Sequence, residues 1–412
     1  MFGRVPRPAP RPLTGARGLA AYLFLYAALY GGWGVLTPFL PAVLAERGAT
    51  AEQIGLLLGA GIAARLLSMP LAGALVDRSG AARRVMVALL LAGAASGLAY
   101  GATPAGAAAL LLLVGVVQHA ATGPLGPLPD ALAVCAAAAA GGGGRIDYGV
   151  VRGVGAAAFI GGATLAGRAV EAAGSSLVVL WLNAGLFALA AGAVLLLPGR
   201  APGRAPAAPG GSRPPDAPQG GRLRALLGIP AFRRLLVVSA LISGSHAFYA
   251  GFGTLRWQAA GLSAEAIGLL WSVSVGAEVA VFFLLGRPLL AGLGPGGLCA
   301  LAAAAGALRW SVMAATAWLP AMFLVQPLHG LTFAAQHLAA MAVIARAVPE
   351  RFAATAQSAY AFLGTGAAAA ALTFLSGTLF ERFGAGGFWA MALLCALAVP
   401  LSLGLGRPDS AR

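Results

Sequence analysis

Twelve windows of predominantly apolar residues, each of about the 20 needed to carry an α-helix across the hydrocarbon core of a bilayer, follow one another along this chain. They run near 18–44, 53–75, 85–102, 107–134, 148–168 and 177–197, then 232–254, 264–285, 297–317, 319–345, 356–378 and 386–405. A spanning backbone must satisfy its own hydrogen bonds, and windows of this length do so as helices. The expected fold is an all-α membrane protein of twelve transmembrane helices in two pseudo-symmetric six-helix bundles. Composition agrees, because 59% hydrophobic and 9% charged residues with a mean hydropathy of +0.86 do not suit a water-soluble globule. The first window is too long for the apolar region of a cleaved signal and is kept as a helix.

The expected organisation is a tail (1–17), a first bundle (18–197), a linker (198–230), a second bundle (231–405) and a short tail (406–412). The stretch PGRAPGRAPAAPGGSRPPDAPQGGRLR (198–224) has almost nothing to bury and reads as unstructured. A net charge of +15 could suggest a nucleic-acid partner, but all 27 basic residues are arginines placed between apolar windows rather than along one face. No nucleic acid is expected. Twenty arginines fall in the tails, the linker and every second loop, against Arg47, Arg168, Arg256 and Arg382 on the other side, while Arg65, Arg152 and Arg309 lie inside windows. The positive-inside rule then puts both termini in the cytoplasm. The excess of Ala, Gly, Arg and Pro points to a GC-rich bacterial genome, hence a multi-pass protein of a bacterial inner membrane, surrounded by lipid. Cys135, Cys299 and Cys395 fall in or beside apolar windows, where they read as small hydrophobes and imply no disulfide framework.

The most specific local signal is GALVDRSGAARR (73–84), between the second and third windows. It resembles the loop signature of the major facilitator superfamily. Gly73 permits close helix approach, Gly80 a tight turn, and Asp77, followed by Arg78, can accept hydrogen bonds from a neighbouring helix N-terminus, so the stretch reads as a conformational latch. Arg83 and Arg84 stand displaced by Ala81 and Ala82 from the usual basic positions, and the equivalent GRPLLAGLGPGG (286–297) has no acid, which leaves the latch one-sided. Further stretches narrow the resemblance: PLPDALA with IDYGVVRGVG (127–133, 146–155), LRWQAAG (255–261), LLWSVSVGAEV (269–279) and LHGLTFAAQHLAAM (328–341). Together with GAGIAARLL (59–67) and LRWSVMAAT (308–316), they resemble the 3-phenylpropionate/proton symporter family. That resemblance implies secondary transport by alternating access, with proton-coupled uptake of a small organic, aromatic acid.

Polar residues at membrane depth are the candidate site. Glu278 sits alone in GLLWSVSVGAEVAVFFLL, where a charge costs about 2.5 to 3.5 kcal/mol on insertion scales. It reads either as the proton-coupling acid or as a static partner of Arg309, which lies at comparable depth. His246 joins these two as a possible proton-coupling group. Asp130, just after Pro124, Pro127 and Pro129, should face Arg152, as a substrate-contacting pair or as a pair docking two helices. Tyr22, Tyr26, Tyr30 and Trp33 recur at helical spacing, as packing or as a lining for aromatic substrates. His329, Thr332 and Gln336 fall on one helical face, which makes His329 a substrate-binding candidate, while His337 points elsewhere and reads as structural. Arg65 has no evident partner.

No phosphate-cradling GxxxxGK[ST] loop and no HExxH spacing occurs, so an ATP-driven pump and a metalloenzyme are disfavoured and no cofactor or metal is expected. The chain reads as no enzyme but a monomer working with a small-molecule substrate and protons. The alternatives are a drug or metabolite efflux antiporter, whose GPxxGG-style motif is missing from the fifth window, and a sugar/nucleoside-type proton symporter.

Overall fold

The computed structural model describes residues 16–139, 148–197 and 219–405, which form helices with no strand among them. The rest of the two expected tails and residues 198–218 of the expected linker lie outside the described residues. The linker's last part departs from expectation. Gln219–Leu227 is helical, and Leu223, Leu226 and Leu227, at i, i+3 and i+4, give it an apolar stripe that docks on the second half, with Leu226 fully buried.

Helix α1 (Ala16–Leu36) ends where Thr37 precedes Pro38, and a short helix, Leu40–Glu46, completes the first expected span. Helix α2 (Ala51–Ser79) starts on a capping box: the Thr50 hydroxyl accepts from Gln53 N at 3.2 Å, and Gln53 Oε1 from Thr50 N at 3.0 Å. It runs for 29 residues, so most of the GALVDRSG stretch is the end of a helix rather than a loop. Only Gly80, at φ 61°, turns the chain into α3 (Ala82–Ala102). Helix α4 begins as Ala108–Thr122, passes through a 3-10 turn at Gly123–Leu125 and resumes as Pro127–Ala139, which puts Asp130 in a first turn. Helices α5 (Tyr148–Ala173) and α6 (Val178–Leu196) complete the first half.

Helix α7 spans Pro230–Ala259. Two later stretches, Ala264–Ala315 and Glu350–Leu403, are 52 and 54 residues long, whereas one crossing needs about 20. Each doubles back at a glycine of positive φ, Gly294 at 66° and Gly384 at 53°. They divide there into α8 (264–293) and α9 (295–315), and into α11 (353–383) and α12 (Gly387–Leu403), with α10 (Leu319–Ala347) between the pairs. Among the described residues, the ten stretches long and apolar enough to cross a membrane thus contain twelve rods, one for each apolar window. Helices α8, α10 and α11 each carry a π-helical turn, at Val281–Leu285, Leu331–Ala335 and Tyr360–Gly366.

Within the first half α1 packs on α5 and α6, α3 on α6, and α2 on α4; within the second, α9 packs on α12 and α10. The main pairings between the halves are α5 with α8 and α2 with α11, with a smaller one between α7 and the Leu40–Glu46 helix. They meet most tightly towards one end, where backbones approach so closely that a methyl on Gly167 would lie 2.5 Å from the Ala264 carbonyl oxygen, and one on Gly55 would lie 2.6 Å from Gly377 N. Polar contacts close the same end: Arg168 Nε to Glu265 Oε1 at 2.9 Å, Ala264 N to Glu171 Oε2 at 2.7 Å, and the Thr254 hydroxyl to Pro38 O at 2.6 Å.

The cores repeat this asymmetry. One hydrophobic cluster at the closed end draws on both halves, from Val35, Phe39 and Ile54 to Phe248, Trp271 and Phe388. Towards the other end it gives way to two clusters, one around Tyr26, Met86 and Phe187, the other around Phe232, Leu298 and Tyr360. That end is open, and it carries Arg78, Arg83, Arg84, Arg233, Arg234, Arg287, Arg346 and Arg351. A cleft of about 520 Å³ separates Gly149, Val150 and Gly153 of α5 from Val279, Ala280, Phe283 and Leu284 of α8. Asp77 makes no ion pair among the described residues, and a methyl on Gly73 or Gly80 would meet nothing within 4 Å. In this conformation the expected latch is unengaged.

Candidate functional site

The open end leads to two polar clusters, one in each half. In the first half, α1 presents Tyr26, Tyr30 and Trp33 one turn apart, with Tyr26 stacked on Tyr30 (centroids 5.6 Å) and Trp33 edge-on to Tyr30 (4.9 Å). The break in α4 aims Asp130 at this row, and the Tyr26 hydroxyl donates to Asp130 Oδ1 at 2.5 Å. Arg152, one turn into α5, donates to the Tyr30 hydroxyl, sits 5.1 Å above its ring and lies 3.7 Å from Asp130 Oδ2. The expected facing of Asp130 and Arg152 is thus present. Tyr26 is fully buried and uses its hydroxyl on Asp130, whereas Tyr30 and Trp33 stay half-buried. Tyr22 is buried too, its hydroxyl donating to Leu132 O at 3.1 Å, so its part is packing.

In the second half, Arg309 of α9 is completely buried, its guanidinium between the rings of Tyr249 (4.6 Å) and Trp310 (4.5 Å). It donates through Nη2 to Gln326 Oε1 at 2.6 Å, an oxygen that also accepts from Ser274 at 2.9 Å, and through Nη1 to His329 Nδ1 at 3.1 Å. An arginine can only donate, so His329 Nδ1 is an acceptor and the ring's proton sits on Nε2. That nitrogen faces Glu278 Oε2 at 3.7 Å. Sequence placed Arg309 at comparable depth to Glu278 as a direct partner; the structure sets His329 between them.

His246 holds the opposite tautomer, because its Nδ1 faces the Ile242 carbonyl at 3.0 Å and its Nε2 the Thr332 hydroxyl at 2.9 Å. Its ring lies 5.4 Å from that of His329. The π turn at Leu331–Ala335 separates His329 from Gln336, so the expected common face is broken. Gln336 donates to Ser239 on α7 at 3.0 Å instead. His337 is exposed rather than packed away, beside Phe282 (6.2 Å) and Tyr360 (6.4 Å) and close enough to Glu278 to interact with its charge. Arg152 also acts electrostatically on Glu278, from the opposite half. The two clusters therefore sense each other across the opening.

Sequence reasoning missed Gln326, Ser274, Tyr249, Trp310 and Tyr148. Gln326 left a signal, a polar residue at depth just before Pro327. The aromatics left none, since buried rings at helical spacing look like ordinary core. Tyr148, at the start of α5, lies close to Asp130, and its window held no other mark of a site.

The arrangement can hold a small molecule between two half-sites and offers a titratable carboxylate beside a neutral imidazole. Residues 18–391 match the MFS_1 like family. A probable 3-phenylpropionic acid transporter of Escherichia coli (strain K12) is 35% identical over 399 residues, covering 94% of this chain and 97% of that protein. The maltose permease of Geobacillus stearothermophilus is 27% identical over 380 residues, 92% of each. A variant of the nucleoside transporter NupG superposes with a TM-score of 0.77 at 18% identity, over 94% of this chain and 98% of that one. A bacterial homologue of the lysosomal transporter Spinster, in an inward-facing and unoccupied conformation, gives 0.67 at 16% identity, over 98% and 100%. Structures this distant in sequence establish the fold. With a family match over most of the chain and a relative of above 30% identity along nearly all of it, the protein belongs to the MFS_1 like family and is a secondary transporter rather than an enzyme.

Proposed function

We propose that the protein takes up a small aromatic carboxylic acid together with protons across a bacterial inner membrane. Both termini and the arginine-rich open end face the cytoplasm, so the conformation described above is inward-facing. The two bundles, 18–197 and 231–405, rock about the site between them as a monomer. The acid lies against Tyr30 and Trp33, beside the Asp130–Arg152 pair, and Glu278 carries the proton.

The observation that carries this reading is the placement of Glu278. Its one neighbour within ion-pair distance among the described residues is His329, a neutral donor, while Arg152 of the other half acts on its charge from across the opening. A carboxylate so placed can gain a proton without losing an ion pair, and its charge is felt where the substrate binds. A protonated Glu278 leaves the positive charge of the opening for a bound anion; loss of that proton towards the open end weakens the hold and favours release. The relative's printed substrate supports the choice of an aromatic acid.

Purified protein in proteoliposomes tests the reading. Labelled 3-phenylpropionate should accumulate when the external side is made acidic and should only equilibrate without a gradient. Failure of a pH gradient to drive accumulation of any aryl carboxylate would remove proton-coupled acid uptake.

A further inference from the structure

We infer that Arg65 of α2, and not Arg152, is the cation that receives the carboxylate of the substrate. This rests on the acid-uptake reading above and assigns the anchoring residue within it. Arg65 is exposed, yet it lies at mid-length of a membrane-crossing helix. The lipid-facing side of α2 is marked by Leu67, Leu71 and Leu75, 64%, 69% and 54% exposed. Two residues around the helix put Arg65 roughly 160° away from Leu67. Its exposure is therefore to the interior opening. On the same side, Gly61 lies against His119 and Gly123 lies against Arg65 itself.

Of the three arginines at depth, the other two are already engaged. Arg152 has Asp130 at 3.7 Å and the Tyr30 hydroxyl, and Arg309 is enclosed by Tyr249, Trp310, Gln326 and His329. Arg65 makes no ion pair and no side-chain hydrogen bond among the described residues. His119 Nδ1 faces Gly115 O at 2.9 Å, and no hydrogen bond joins the His119 ring to Arg65 among the described residues.

The site is built for a long cationic side chain. The 3-10 turn that interrupts α4 places Gly123 against the Arg65 stem, and a methyl there would lie 2.6 Å from its Cγ. The Tyr30 hydroxyl, which accepts from Arg152, is also within electrostatic reach of Arg65, so both cations lie within range of the half-buried ring of Tyr30. Charge accounting agrees. Among the described residues at depth, Arg65, Arg152 and Arg309 face only Asp130 and Glu278, which leaves one uncompensated positive charge in the opening. A charge kept there without a partner asks for an anion during the cycle. A monocarboxylate with an aryl group supplies one charge for Arg65 and a ring for Tyr30 and Trp33.

The test compares binding of 3-phenylpropionate with that of its neutral amide, 3-phenylpropionamide, by calorimetry on the purified full chain. The wild type should prefer the acid. Arg65→Gln should weaken the acid roughly 10- to 100-fold, the loss expected for a charge-assisted hydrogen bond, with amide affinity unchanged. Arg152→Gln should retain most of the preference. Where Arg65→Gln fails to fold, Arg65→Lys, which keeps the charge and loses the fork, should weaken the acid several-fold and leave the amide alone. An acid preference kept in Arg65→Gln, or in Arg65→Lys at full strength, overturns the assignment to Arg65 while leaving acid uptake intact, and its loss in Arg152→Gln moves the anchor there. A wild type that binds acid and amide equally overturns acid uptake and the anchor with it.

Discussion

A carboxylate whose ion-pair-distance neighbour is a neutral imidazole can change charge without orphaning a buried cation, and this separates Glu278 from Asp130. Asp130 is tied to Tyr26 at 2.5 Å and to Arg152 at 3.7 Å, so protonating it would loosen both contacts. Glu278→Gln keeps shape and hydrogen-bonding capacity while removing the titratable proton. The variant should exchange substrate across the membrane at near wild-type rates and fail to concentrate it. Counterflow and pH-driven uptake in the same proteoliposomes separate the two, and concentrative uptake by Glu278→Gln would transfer the coupling role elsewhere. Because Arg309 leans on Gln326, His329 and two rings rather than on Glu278, the variant should unfold at nearly the wild-type temperature. The sequence showed which residues were costly at depth but not who met whom. The pairing of Asp130 with Arg152 was legible because both lie near the breaks that bound their helices. That of Arg309 was not, since depth along two helices leaves their rotation open and a third helix supplied the partners.

At the level of elements, glycine pairs decide how far the halves can close. Gly167 of α5 and Gly268 of α8 each face the other helix's backbone, a methyl on the second lying 2.5 Å from the Ala163 carbonyl oxygen. Gly167→Val should force α5 from α8 at a cost of about 1 to 3 kcal/mol, enough to shift the conformational balance roughly 5- to 150-fold towards the state open at this end. A cysteine at Thr164, whose hydroxyl lies 2.9 Å from that of Ser272 across the joint, reports the shift. In the Gly167→Val background, Thr164→Cys should react with a water-soluble maleimide much faster than alone, and equal rates would show that the glycine does not gate closure. Helix positions were legible as apolar windows, because lipid leaves the backbone little choice. The π turns in α8, α10 and α11 were not, since one extra residue per turn leaves hydropathy unchanged yet turns Gln336 from His329 towards Ser239. The docked Gln219–Leu227 helix was hidden by its surroundings of Pro, Gly and Arg.

For the whole molecule, the charge of the opening sets which gradient can drive transport. If one proton on Glu278 accompanies one monocarboxylate on Arg65, the loaded and empty carriers bear the same net charge. The two reorientation steps then respond equally and oppositely to the membrane potential, and the complete cycle moves no net charge. Uptake should respond to a pH gradient and stay within about twofold when a potassium diffusion potential of either sign is imposed with valinomycin. Potential-driven accumulation at equal pH would require an additional proton. The six-and-six arrangement of apolar windows was legible in the sequence, as was the arginine-rich end, but the conformation was not, because one sequence must support both open states.

The hydrophobic cluster shared by both halves also bears on how the protein can be assembled. It gathers Phe39 and Ile54 of one half and Phe248 and Phe252 of the other into one buried core, so the halves carry an adhesive surface of their own. Co-expressed as two fragments cut within 198–218, the halves should find each other in the bilayer, co-purify and transport. Fragments that stay apart would show that the closed end is held by the chain's continuity and not by its own adhesion.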